Sequence, residues 1–147
     1  MALSDQDLLN IQALLARFVY ALDAGDPVTW TNCFAPDGTY RDAHQTLTGR
    51  QAILPFITAV MKDGDAGPNP KSTPRLVHLA TPARIEGDGD RATAYSYWQA
   101  LTQAKDGSVV IWRVGEFRDQ LVKRDGKWLF AERHIPSLLG MTRLSDL

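Results

Sequence analysis

The sequence has a single cysteine, almost no net charge and no long apolar run. Cys33 is the one cysteine in 147 residues, which excludes an intrachain disulfide, a cysteine-based zinc site and a redox pair. The formal charge of −1 offers no electrostatic support for binding a nucleic acid or an anionic membrane. No apolar run approaches the roughly 20 residues of a membrane span, and residues 1–10 lack the pattern of a secretory signal. We therefore expect a cytoplasmic protein with neither nucleic acid nor membrane as partner.

Several catalytic motifs are also missing. The chain has no G-x-S-x-G, no H-E-x-x-H and no glycine-rich phosphate loop after a strand. Asp42, His44 and His78 are residue types that bind metals, but their spacing matches no recognised ligand pattern. We expect neither a metal nor an organic cofactor.

What the chain does contain has the length and composition of one globular domain, residues 1–147. Hydrophobic residues make up 44% and charged residues 22% of the sequence, which is ordinary for such a domain. A chain of this size can bury roughly two-thirds of its unfolded surface, so it needs no disulfide or metal for stability.

Three helices are predicted before residue 63. Ser4 and Asp7 have the spacing of a capping box, and apolar residues then recur every three or four positions until the helix ends near Gly25. Asp26 and Pro27 predict the start of a short second helix that reaches Phe34. A turn at 35–38 and a short strand follow.

The third predicted helix is capped by Thr48, with Gln51 completing the box, and Pro55 kinks it or marks a later start. Residues 63–74, rich in Gly and Pro, have the composition of a loop and candidate lid. Four strands are predicted after this loop, joined by turns that contain Asp-Gly, at 75–87, 91–104, 109–123 and 127–135. Helices followed by an antiparallel meander indicate the α+β class.

Alternation along the strands predicts which side chains face inward. Ala92, Ala94, Ser96, Trp98 and Ala100 share one face of their strand, and the small members leave room for a ligand. In the next strand, an unbroken register places Ile111, Arg113, Gly115 and Phe117 inward. In the last strand, Glu132 and His134 share the parity of Trp128 and Phe130.

His78 stands out because the strand around it is apolar on both faces. Read from this strand alone, it is either a core histidine with satisfied hydrogen bonds or the base of an active site.

Five segments together resemble the SnoaL-like group of the nuclear-transport-factor-2 superfamily: FVYALDAGD, FAPDGTYRD, TGRQAI, RLVHLATPARIEGDGDRATAYSY and GEFRDQLVKRDGKWLFAERHI. Their order and spacing match over about residues 5–136. The resemblance implies an NTF2-like cone, in which a curved antiparallel sheet wraps around three N-terminal helices and encloses a pocket. It also implies a homodimer formed through the convex face of the sheet.

The resemblance is closest to cofactor-free lyases of the scytalone dehydratase type. In these proteins an aspartate closes the first helix and a histidine lies in the first long strand, and this chain has Asp23 and His78 in the corresponding places. Where the group often has a tyrosine, this chain has Phe18, with Tyr20 two residues later. The resemblance therefore implies catalysis by Asp23 and His78 and leaves the general acid unassigned.

We expect a cofactor-independent lyase or dehydratase that abstracts a proton from a small hydrophobic substrate, with aromatic and polycyclic molecules as candidates. Carbon–carbon cleavage, isomerisation and polyketide-type cyclisation use the same pair of residues. A non-catalytic ligand-binding protein, similar to a dioxygenase small subunit, is the alternative from another class. The candidate substrate-binding residues are Tyr20, Tyr40, Trp98, Arg113 and His134.

Overall fold

The computed structural model describes residues 1–62 and 76–136, so the predicted loop at 63–74 lies outside the described residues. Within these ranges the elements are α1 (Asp5–Ala24), α2 (Pro27–Asn32), β1 (Phe34–Asp42), β2 (Thr46–Thr48), α3 (Arg50–Lys62), β3 (Val77–Ala80), β4 (Arg84–Asp88), β5 (Arg91–Gln103), β6 (Val109–Arg124) and β7 (Lys127–Ile135). No helix within these ranges is long and apolar enough to cross a membrane.

The seven strands of the described ranges form one curved sheet around the three helices, which confirms the predicted fold class. Their order is β2-β1-β7-β6-β5-β3, with β4 also paired to β5. The sheet is mixed rather than purely antiparallel, because β1 pairs in parallel with β7. The hydrophobic core lies between the helices and the inner face of the sheet.

Helix α1 begins and ends as the sequence predicts. Ser4 and Asp7 form the capping box, and Gly25 ends the helix in the left-handed conformation at φ 67°. The Asp7 carboxylate also accepts hydrogen bonds from Lys123 Nζ and Trp128 Nε1, each at 2.8 Å. These bonds fasten the start of α1 to the last hairpin, and the helix then carries Asp23 to the opposite end of the sheet.

The connection between α2 and α3 differs from the prediction. Helix α2 is capped by Asp26 as expected but ends at Asn32, and residues 35–38 belong to β1 instead of forming a turn. The register between β1 and β7 is irregular from Phe34 to Thr39, which accounts for the turn-like composition of this stretch.

Thr48 does not cap α3. It lies in β2, a short strand that the sequence analysis did not predict, and its hydroxyl group bonds to that of Thr39 at 3.2 Å. The first turn of α3 closes on the Gly49 carbonyl, which accepts from the amides of Ala52 and Ile53 at 3.1 Å.

The first predicted long strand is interrupted. β3 pairs with β5 as far as Ala80, opposite Trp98, and β4 resumes the pairing at Arg84, opposite Tyr95. Residues 81–83 therefore oppose only two residues of β5, as in a β-bulge. Pro82 has no N–H group to donate, so the ladder cannot continue through this point.

Two further bulges change which side chains face inward. β5 and β6 pair Ala100 with Arg113 but Leu101 with Ile111, so Ile111 turns outward and is 56% exposed, contrary to the unbroken register. β6 and β7 lose register between Gln120 and Leu121, and Arg133 consequently joins the buried face. Simple alternation along a strand predicts which side chains face inward only up to a bulge, because the extra residue reverses the alternation beyond it.

Candidate active site

Asp23 and His78 are in direct contact. Asp23 lies in the last turn of α1 and His78 is the second residue of β3. One carboxylate oxygen of Asp23 lies 2.6 Å from His78 Nδ1, and the other accepts the backbone N–H of His78 at 2.9 Å. A carboxylate at a helix C-terminus opposes the helix dipole, so these two donors compensate an otherwise unfavourable position.

This geometry defines the tautomer and the orientation of the imidazole. A carboxylate only accepts hydrogen bonds, so Nδ1 carries a proton, and in the neutral imidazole Nε2 is then the atom with the lone pair. Because Asp23 holds both the ring and the backbone of His78, the imidazole is fixed in orientation as well as in tautomer. The side chains of Asp23 and His78 are only 14% and 13% exposed, which shields the pair from bulk water. An imidazole held in this way is chemically able to act as a general base.

His78 is part of the wall of a cavity of about 460 Å³, within the range of small-molecule pockets. Three parts of the fold form this wall: one side of α1, the edge segment that follows His78, and the inner face of β5, β6 and β7. The residues are Gln12, Leu15, Ala16, Val19, Tyr20, His78, Leu79, Ala80, Thr81, Pro82, Ser96, Phe117 and Arg133.

Arg133 is a polar residue of this wall that the sequence analysis missed. It is fully buried and makes two hydrogen bonds to the Asp119 carboxylate, both 2.7 Å long. Its guanidinium lies about 4 Å from the ring centroids of Phe18, Phe117 and Phe130. Burial raises the pKa of Asp119, and the charge of Arg133 opposes that rise. In the described part of the chain, Arg133 Nη1 has no hydrogen-bond partner.

A sequence signal for Arg133 existed but could not be used. Asp119 and Arg133 are opposite charges on neighbouring strands and pair directly in the β6–β7 register. Simple alternation assigns Arg133 to the face opposite Phe130, and only the bulge between them reverses this assignment.

Tyr20 and Trp98 both lie close to the pair. Tyr20 contributes to the cavity wall and is 75% exposed. The Trp98 ring centroid is 6.0 Å from that of His78, and its indole covers Gly115 so closely that a Cβ there would clash with the ring. Trp98 therefore supports His78 from the side instead of forming part of the cavity wall.

Tyr40, Arg113 and His134 are not brought to this cavity. Tyr40 is buried and donates to Asp42 at 2.9 Å, and burial followed by the charge of Asp42 raises its pKa. The Arg113 guanidinium lies 4.7 Å from the centre of the Trp112 ring.

His134 lies on the outer face of the sheet, because the bulge that turns Arg133 inward turns its neighbour outward. It pairs across strands with Arg41 and Arg118. Burial and then these two cations lower its pKa. The structure gives no support for His134 as a pocket residue.

The residues considered for metal binding do not converge. The Asp42 carboxylate accepts the backbone amides of His44 and Gln45 at 2.8 and 2.9 Å, which is a turn interaction. Over residues 1–62 and 76–136, no group of three or more His, Cys, Asp or Glu side chains is arranged to hold a metal ion.

Comparison with known proteins identifies the family. The profile described as a SnoaL-like domain matches residues 5–134. Rv3472 of Mycobacterium tuberculosis, a protein of unknown function, is similar in structure, with 30% identity, a TM-score of 0.77, and coverage of 90% of this chain and 72% of that one. A protein of unknown function with a cystatin-like fold from Nostoc punctiforme has 26% identity, a TM-score of 0.81, and coverage of 96% and 98%.

A scytalone dehydratase candidate from Novosphingobium aromaticivorans shares the fold, with 20% identity, a TM-score of 0.74, and coverage of 94% of this chain and 90% of that one. No curated protein matches the chain.

Proposed function

Because the chain belongs to the SnoaL-like family and pairs a carboxylate with a histidine at a cavity wall, we propose that it is a cofactor-independent lyase that acts as a dehydratase. His78 is the general base and Asp23 orients it. The observation that carries the proposal is that Asp23 contacts His78 twice, once at Nδ1 of the ring and once at the backbone N–H.

The reaction begins when His78 Nε2 removes a proton from the carbon next to a substrate carbonyl. The electron pair moves into the carbonyl and forms an enolate, while Asp23 stabilises the imidazolium. The enolate then expels the β-hydroxyl group, which leaves as water after taking a proton from the imidazolium. The products are an enone and water, and His78 returns to its neutral state.

The positive charge of Arg133 favours the negative charge that develops on the carbonyl oxygen. Arg133 is a cationic residue of the cavity wall, but its side chain is fully buried, so its charge acts through space and not by direct contact with the substrate. A fixed charge in a buried site stabilises developing charge more than water does, because it needs no reorganisation.

The substrate class follows from the walls of the cavity. Aliphatic side chains and Phe117 supply most of the lining, with a few polar groups near His78. Such a pocket suits a small hydrophobic carbonyl compound, including aromatic and bicyclic ones.

A panel of bicyclic β-hydroxy ketones tests the proposal, because dehydration produces a conjugated enone that is detected by its ultraviolet absorbance. We expect His78→Gln and Asp23→Asn to lower the rate by about 10²–10⁴, the usual contribution of a general base. His44→Gln, at an exposed histidine, is the matched control and should retain full activity. Full activity in folded His78→Gln would reject the base assignment.

The same panel in D₂O separates the alternatives. Deuterium incorporation without loss of water would favour an isomerase or cyclase with the same residues. Binding of the ketones with neither exchange nor dehydration would favour a non-catalytic ligand-binding protein.

We further propose that two copies of the chain associate through the outer face of the sheet. Large apolar side chains are exposed there: Val77, Tyr95, Tyr97 and Ile111. Sedimentation velocity measures the oligomeric state. Tyr97→Glu should convert the dimer to a monomer, whereas Leu9→Glu, at an exposed position of α1, should leave the dimer intact. A wild-type chain that sediments as a monomer at all concentrations would reject this association.

A further inference from the structure

The cavity wall has a buried part and an exposed part. Its inner part consists of buried residues, among them Ser96, Phe117 and Arg133. Its outer part consists of two exposed rims. One is the stripe Gln12, Ala16 and Tyr20 on α1, and the other is the segment 80–82 of the sheet edge. We call the gap between these rims the side opening.

The edge strand is interrupted at the side opening. The Thr81 amide donates to the Tyr97 carbonyl at 2.9 Å, and the Tyr97 amide donates to the Thr81 hydroxyl at 3.1 Å. A side chain thus replaces a backbone acceptor at the last paired position before Pro82. The backbone groups at the break are satisfied, so the interruption is a stable part of the fold. Ser96 lies opposite the interruption and faces the cavity.

Tyr20 occupies the α1 rim one turn before Asp23. Its ring is 75% exposed although it belongs to the cavity wall. An exposed aromatic ring changes rotamer rapidly, and it presents a flat apolar surface to any ligand that passes. Ala16, the preceding residue of the same stripe, has the smallest side chain of the α1 rim.

From these observations we infer that ligands reach His78 through the side opening between α1 and the interrupted edge strand, and that the Tyr20 ring limits the size of ligand that passes. The inference rests on the proposed function only in taking His78 as the group that a ligand must reach. Tyr20 is a specificity-determining residue that takes no part in proton transfer.

The test measures access to His78 without requiring turnover. Diethyl pyrocarbonate modifies neutral imidazole nitrogens, and peptide mass spectrometry reports the rates at His78 and at exposed His44 separately. The His44 rate serves as the internal reference in every variant. Circular dichroism confirms that each variant is folded.

Ala16→Trp places an indole in the side opening, and Ala13→Trp places the same indole on an exposed position of α1 outside the cavity wall. We expect Ala16→Trp to slow modification of His78 about tenfold, the factor that corresponds to displacing a blocking side chain at a cost of about 1.4 kcal/mol. Ala13→Trp should match the wild type. Equal His78 rates in the two variants would overturn the inferred route.

Tyr20→Ala should accelerate modification of His78, and Tyr20→Phe, which keeps the ring, should react as the wild type does. A Tyr20→Ala rate equal to that of the wild type would overturn the size limit assigned to the ring. If all four variants behave as expected but no β-hydroxy ketone is turned over, the proposed function fails and the side opening stands.

Discussion

The buried pair of Arg133 and Asp119 predicts a large and specific stability effect. In Arg133→Met, Asp119 keeps its burial but loses both of its 2.7 Å hydrogen bonds. Breaking such a pair from one side costs about 3–5 kcal/mol, a large share of the roughly 5–15 kcal/mol that stabilises a domain. At about 2–4 °C per kcal/mol, the melting temperature should fall by roughly 6–20 °C.

The double variant Arg133→Met with Asp119→Leu removes the isolated charge and should recover much of this loss. Because burial raises the pKa of Asp119, the cost in Arg133→Met should also depend on pH. The unpaired carboxyl binds its proton more tightly in the folded state, so stability declines as pH rises through the unfolded pKa of about 3.9 towards the folded value.

Urea unfolding measures the coupling free energy between Arg133 and Asp119. It compares the wild type, the two single variants and the double variant at pH 4.5 and pH 7. Arg118→Met is the matched control, since that arginine pairs with Glu116 at the surface and such exposed pairs contribute about 0–1 kcal/mol. Additive single effects would refute the reasoning, as would a cost of Arg133→Met no greater than that of the control.

Three further predictions concern other contacts. The hydrogen bond from Lys123, above all, lowers the pKa of Asp7. Asp7→Asn should therefore be less stable than the wild type at neutral pH, where the carboxylate is charged. Below pH about 4 the wild type loses this contribution as Asp7 takes up a proton, so acid unfolding should show a smaller loss of stability in the variant. Burial raises the pKa of Cys33 to about 11, so Ellman's reagent should label it only after unfolding. Gly115→Ala should cost about 1–3 kcal/mol in urea unfolding by displacing Trp98, and an unchanged midpoint would contradict that packing.

Local signals in the sequence were sufficient for several elements. The apolar period of α1, its capping box and its terminal glycine act within one or two turns, so that helix was predicted from end to end. The strand at 127–135 was predicted with its observed limits, because Asp-Gly turn residues and aromatic side chains mark it locally. The family resemblance supplied the fold around these elements.

The candidate site was predicted only in part. Asp23 and His78 were proposed together from the resemblance, and the structure brings them into contact across 55 positions of the chain. Tyr20 also reaches the cavity, whereas Tyr40, Arg113 and His134 do not. A residue type in the right segment indicates a candidate, but the direction of its side chain depends on the register of a strand with its neighbours.

The sequence by itself determined helix α1 and the limits of β5, β6 and β7, because these depend on local periodicity and on turn chemistry. It also singled out Asp23 and His78, because they lie in recognisable segments. Only the tertiary structure decided that Arg133 faces the cavity, that Ile111 faces outward and that the edge strand opens beside His78. Each of these outcomes follows from one extra residue in a strand pairing. One inserted residue reverses every following side chain, and pairing between distant strands determines where it is inserted.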